Sequence, residues 1–164
     1  MLVADTTTLH DLHWVVQIAM GWTDSHLHQF VIADHRFSEP EFGLDEWGDP
    51  VGNEKRVRLA EFEFAAKDKL AYEYDFGDGW DHEIAVEKVS APEEGARYPR
   101  CVAGRRACPP EDVGGVWGYE SFLEAIRDPE HDEHAAMLEW AGESFDPAAF
   151  SVAEADEALR DQFR

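Results

Sequence analysis

Residues 70–88, LAYEYDFGDGWDHEIAVEK, constrain the fold of this chain more than any other segment. Leu70, Tyr72, Tyr74 and Phe76 alternate onto one face of an extended run, and Trp80, His82, Ile84 and Val86 do the same in the next. Gly77, Asp78 and Gly79 separate the runs, and glycine accepts the positive φ angles of a tight hairpin turn. Aromatic and β-branched pairs across such a hairpin contribute roughly 0.2–1 kcal/mol each. The pattern predicts an aromatic hairpin at the centre of a mixed or antiparallel sheet, with helices packed over it.

The remaining segments supply the cover. Residues 7–21 read as an amphipathic helix, with Leu9, Leu12, Val16 and Ala19/Met20 at helical spacing. Thr8 with Asp11 resembles a capping box, and Gly21 is a natural stop. HLHQFVIA (26–33) reads as a strand with His26, His28, Phe30 and Ile32 on one face. Residues 37–54 read as a loop, and VRLAEF (57–62) as a short or edge strand. Residues 90–118 form a long connection rich in Pro and Gly, of a length that is often functional. Three helices follow at 119–128, 130–142 and 151–163. Ser151 and Glu154 form a capping box for the last, so residues 151–164 make a C-terminal helix. Helix, strands, then helices defines an α+β domain spanning 1–164.

Charge narrows the function classes. The chain of 164 residues holds 36 acidic and 14 basic residues, a net charge of −22. Nucleic-acid phosphates repel such a chain unless a metal ion or a local basic patch intervenes. A protein or a small ligand is the expected partner, and the acidic excess also suits a solvated surface. No run of about 18 apolar residues is present, so no membrane partner is expected. The N-terminus lacks a signal-peptide pattern, and the two cysteines make no disulfide framework, so a reducing cytoplasm is expected.

Three constellations carry chemistry. Asp75-x-Gly77-Asp78-x-Trp80-x-His82 packs two carboxylates and an imidazole around one turn, which suits cation binding or acid–base pairing. The alternative is that Asp75 and Asp78 cap the turn through backbone N–H groups. Cys101 and Cys108 flank Arg105 and Arg106 and lead into Pro109-Pro110-Glu111-Asp112. Two thiols with His82 and a carboxylate would make a zinc site, although structural zinc sites usually space their cysteines more closely. The alternative is a pair of idle thiols. His26 and His28 share a strand face, which is compatible with metal. Nucleotide-binding, zinc-protease and serine-hydrolase motifs are absent.

The segments LHDLHWVVQIAMGWTDSHLHQF, YEYDFGDGWDHEIAVE, PRCVAGRRACPPEDVGGVWGYESFLEAI and FDPAAF resemble the plasmid pRiA4b ORF-3-like family over roughly residues 7–150. The resemblance implies a small α+β domain without an assigned biochemical role. Some members carry a resolvase-type label, but the Ser/Arg or Arg/His/Tyr clusters of recombinases are not visible here. Relatives usually begin with a strand hairpin before the first helix, so that hairpin is expected to be missing. Many relatives also place a third Cys where this chain has Val113.

The sequence thus points to a binding or interaction module whose site lies between the 75–82 turn and the 101–115 loop, formed by Asp75, Asp78, Trp80, His82, Glu111, Asp112 and Tyr119. Two alternatives stand beside it. One is zinc binding through His82, Cys101 and Cys108. The other is a metal-dependent hydrolase or nuclease using Asp75, Asp78, His82, Glu111 and Asp112.

Overall fold

A computed structural model describes residues 1–48, 50–142 and 144–164. Helix α1, Leu9–Met20, begins where Thr8 Oγ1 accepts the Asp11 amide and ends at Gly21 in the left-handed region. Its inward stripe is Leu9, Leu12, His13, Val15 and Gln17, so two polar side chains enter the core together with the aliphatic ones. Strand β1, His28–Ile32, then alternates buried and half-buried residues as a one-sided sheet requires.

Five strands form one mixed sheet in the order β3-β2-β1-β4-β5. Strands β2 (His35–Ser38) and β1 are antiparallel, β3 (Val51–Asn53) runs parallel to β2, and β4 (Lys69–Tyr74) pairs antiparallel with β1 and β5 (Trp80–Ala85). The register sets Tyr74 opposite Trp80, Tyr72 opposite His82 and Leu70 opposite Ile84. The aromatic hairpin is therefore present, but it forms one end of the sheet: β1 is central and β5 is an edge. Phe76 leaves the strand, because Asp75 enters the left-handed region at φ 54° and the turn spans Asp75–Gly79. Phe76 is exposed.

Two expectations for the middle of the chain are corrected. Residues 37–54 are not all loop, since β2 and β3 fall partly within them; Asp49 lies outside the described residues. HRFS and VGN are too short and polar to signal strands, and only the pairing of HRFS with β1 and of VGN with HRFS makes them so. Gly52 is required there, because a Cβ would run into the Phe37 ring. Residues 57–62 are not a strand. Leu59–Phe62 form a 3₁₀ turn, held by the Arg58 amide donating to Glu61 Oε1, and only Arg58 bridges to Thr8.

One face of the sheet, with Phe30, Ile32, Leu70, Tyr72, Tyr74 and Trp80, packs into the core together with α1 and Leu159 of α4 (Val152–Gln162). Ser151 Oγ accepts the Glu154 amide at the start of α4. The opposite face is polar: Arg36 donates to Gln29, Gln29 donates to Glu73, and Lys69 meets Glu83. Helix α2, Gly115–Arg127, begins one turn earlier than its sequence pattern suggests. It packs on the shorter α3, His134–Trp140, through Phe122 against Trp140. Among the described residues, no helix is long and apolar enough to cross a membrane.

Candidate metal centre

The long connection is seated on the sheet by hydrogen bonds from three directions. Trp22 Nε1 donates to the Pro109 carbonyl at 3.0 Å. The Thr23 amide donates to Glu111 Oε1 at 2.8 Å, and the Tyr74 hydroxyl also donates to Glu111. The Gly114 amide donates to Asp78 Oδ2 at 3.0 Å. Gly115 follows at φ +67°, where any Cβ would collide with the Asp78 carbonyl. The Gly114-Gly115 pair thus lets α2 start against the hairpin turn.

This seating brings the ligand atoms of His26, Asp75 and Asp112 within 4.8 Å of one another, with Glu111 beside His26. His26 Nε2 lies 3.1 Å from Asp112 Oδ1, 3.6 Å from Asp75 Oδ2 and 3.7 Å from Glu111 Oε2. Each carboxylate but Asp112 is held by its other oxygen. Asp75 Oδ1 accepts the Gly77 and Asp78 amides, and Glu111 Oε1 accepts from Thr23. His26 Nε2 is itself shielded from solvent and has no hydrogen-bond partner. Among the described residues, no Lys or Arg forms an ion pair with Asp75, Glu111 or Asp112. Asp75 is nearly buried, whereas the Asp112 side chain is 72% exposed, so the cluster opens to water on one side. Burial, and then Glu111, raise the Tyr74 hydroxyl above its ordinary pKa, so it stays a donor.

Of the residues expected from sequence, Asp75 and Asp112 converge, Glu111 lies beside His26 and is held by Thr23 and Tyr74, and Asp78 ties the loop to the turn. Asp75 also caps the turn, so its structural and ligand roles are compatible. Trp80, His82 and Tyr119 pack instead. Trp80 is buried near Trp22, His82 Nδ1 faces the Tyr72 carbonyl at 3.2 Å, and Tyr119 lies against Phe122. Burial lowers the His82 pKa.

The zinc group is not assembled. Among the described residues, three groups bring ligand atoms within 4.8 Å of one another, and none contains sulfur or His82. Cys101 is buried, its amide held by Asp156 of α4, while Cys108 is half-buried. Burial pushes the Cys108 thiol up to about 12, which disfavours the thiolate a metal needs.

Sequence reading missed a second, deeper cluster. His10, His13, Asp24, His28, Glu39 and Glu54 supply the other two groups. His26 and His28, expected to act as a pair on one face, separate: His26 precedes β1 and joins Asp75, whereas His28 Nε2 meets the fully buried Glu54 at 2.9 Å. The available signal was His13 inside the apolar stripe of α1. A cavity of about 340 Å³, lined by Asp24, Ser25, His26, Leu27, Glu39 and Phe42, touches residues of both clusters.

The fold and these clusters define a small α+β protein with histidine–carboxylate groups around one cavity. The chain belongs to the family described as Plasmid pRiA4b ORF-3-like protein, whose profile matches residues 1–154. It is 44% identical to the uncharacterised protein y4hQ of Sinorhizobium fredii, over 98% of this chain and 82% of that one. It also resembles the crystal structure of a protein of unknown function, MM3350 from Methanosarcina mazei, with TM-score 0.83 and 38% identity over 93% of this chain and 85% of the other.

Proposed function

We propose that this protein binds a divalent cation at His26, Asp75 and Asp112, with Glu111 beside them, and uses it to activate water for hydrolysis of a small substrate. The observation that supports this is the shielded, unpartnered His26 Nε2 facing three carboxylate oxygens at 3.1–3.7 Å. Ligands bonded at about 2.1 Å sit about 3.0 Å apart at right angles and about 3.4 Å apart in a tetrahedron. The 3.1 Å spacing of His26 and Asp112 falls on such an edge, and Asp75 at 3.6 Å lies just outside it. Amides and hydroxyls that fix the second oxygen of Asp75 and Glu111 act as the outer shell that orients ligands. One imidazole with two carboxylates suits Mn²⁺, Mg²⁺ or Zn²⁺. The open side at Asp112 leaves room for a water, whose pKa a bound cation lowers. The adjacent cavity sets the substrate at small-molecule size, and the charge of −22 disfavours nucleic acid.

Titration calorimetry with Mn²⁺, Mg²⁺ and Zn²⁺ tests the reading. One ion per chain at this group, weakened at least tenfold in Asp75→Asn, is expected. Absence of binding at millimolar concentration overturns it.

A second reading, an interaction surface, is favoured by one observation. Trp117 is 81% exposed and Val116 55%, both just beyond the Gly114 link to the turn that carries exposed Phe76. An exposed aromatic residue next to an exposed aliphatic one suits protein docking. Retention of partner binding by Asp75→Asn and its loss in Trp117→Ser would favour this surface.

A further inference from the structure

We infer that a second divalent cation binds between His28 and Asp24, anchored on His28 Nδ1 and with His13 holding Asp24 in place. His28 is 1% exposed, and its Nδ1 has no hydrogen-bond partner. Its other nitrogen, Nε2, meets Glu54 Oε2 at 2.9 Å, and Glu54 is wholly buried. The second Glu54 oxygen faces His10 Nδ1 at 3.0 Å, so the carboxylate is held at both ends. A carboxylate that takes the N–H of one imidazole nitrogen fixes the tautomer and leaves a bare lone pair on the other, which is how metal-binding histidines are usually prepared. Here that lone pair is buried and otherwise unused.

Asp24 and His13 complete the group, with ligand atoms of all three within 4.8 Å of one another. The network assigns their protons. Gln17 Nε2 donates to the Tyr72 hydroxyl at 3.0 Å, so the hydroxyl proton goes to His13 Nδ1 at 2.8 Å. His13 Nε2–H then donates to Asp24 Oδ1 at 3.0 Å. The Asp24 amide donates to Gln17 Oε1, which fixes the same loop again. An Asp24 oxygen is then the carboxylate ligand beside His28, and His13 positions Asp24 rather than competing for the ion. The rings of His13 and His28 stack at 3.6 Å with 10° between planes, which holds His28 in place.

Asp24 lines the cavity of about 340 Å³ whose wall also holds His26, so the group meets that cavity at Asp24. Imidazole in the ligand set selects Zn²⁺, Co²⁺ or Ni²⁺ over Ca²⁺. Lys55 does not occupy the site, because it pairs with Glu39 and Glu41. This site stands on His28 and Asp24, and its existence does not depend on the centre at Asp75.

The test titrates Zn²⁺ into the full chain while the ¹⁵N signals of the histidine rings are followed. The His28 Nδ1 signal is expected to move from the bare-imidazole position to the metal-bound one, in the unaltered chain and in Asp75→Asn alike. Zinc content is expected to fall by one ion per chain in Asp24→Asn, in which Asn still tolerates the positive φ of 54° and still accepts from His13. Circular dichroism confirms that this variant is folded. A His28 signal that stays unligated at saturating Zn²⁺ overturns the inference, even if His26 shifts. Unchanged zinc content in folded Asp24→Asn overturns it as well. Movement of His28 without movement of His26 keeps this site and sinks the proposed centre at Asp75.

Discussion

His26 Nε2 and Asp112 Oδ1 stand 3.1 Å apart, with no hydrogen bond between them. One residue precedes β1 and the other lies in the long connection before α2. Their meeting depends on two glycines and a turn carboxylate, which is where substitutions should act first.

Asp75 has separable tasks. Asp75→Ala removes the acceptor of the Gly77 and Asp78 amides and places Ala at φ 54°, so a loss of about 1–3 kcal/mol in urea denaturation is expected. Asp75→Asn keeps an acceptor and tolerates the angle, so its stability should change by less than about 1 kcal/mol while cation affinity falls at least tenfold.

Gly115→Ala should be more damaging than Gly21→Ala, although both glycines have positive φ. The added methyl meets the Asp78 carbonyl at position 115 and open space at position 21. A cost near 1 kcal/mol is expected for Gly21→Ala, from backbone strain alone. At least twice that is expected for Gly115→Ala, with faster amide exchange at Gly114. Equal melting temperatures would contradict this.

Tyr72→Phe removes a hydroxyl that bonds both His13 Nδ1 and Gln17 Nε2 inside the core. Two buried polar atoms lose their partner, so a loss of about 1–3 kcal/mol follows. Burial raises the Tyr72 pKa, so no tyrosinate absorbance should develop from it until the chain unfolds in alkali.

Acid should destabilise the fold through His13. Burial, then the neighbouring His28 and His10, lower its pKa from 6.5 to about 2. Between those values the unfolded chain binds one more proton than the folded chain. Stability is full above pH 6.5 and falls as pH drops through this window, by up to about 1.4 kcal/mol per pH unit. Burial lowers His82 in the same direction, whereas raised Asp24 opposes it. Urea midpoints at pH 7 and pH 5 should converge in His13→Gln.

Both thiols should resist alkylation in the folded chain. Cys101 is buried and burial pushes Cys108 up to about 12, so iodoacetamide at pH 8 should label them far faster in urea. Rapid labelling of native Cys108 would show that the 101–115 connection opens.

The local elements were written in the chain. Thr8, Gly21, Ser151 and the alternating aromatics of 70–86 specify α1, the α4 start and the β4–β5 hairpin through contacts between residues close in sequence. The carboxylates Asp75, Glu111 and Asp112 were legible because they crowd short polar motifs. Strands β2 and β3 were not, since their pairing rather than their composition makes them strands.

Tertiary structure alone decided which histidine meets which carboxylate. His26 and His28 alternate identically in sequence, yet one joins Asp75 and Asp112 while the other joins Glu54. Residues 10, 13, 24, 39 and 54 carry no shared motif, and only the packing of α1 on the sheet gathers them. The sequence determined an acidic α+β domain with a capped aromatic hairpin, because periodicity and caps act over a few residues. Ligand convergence acts across the whole chain, so only the folded core could set it.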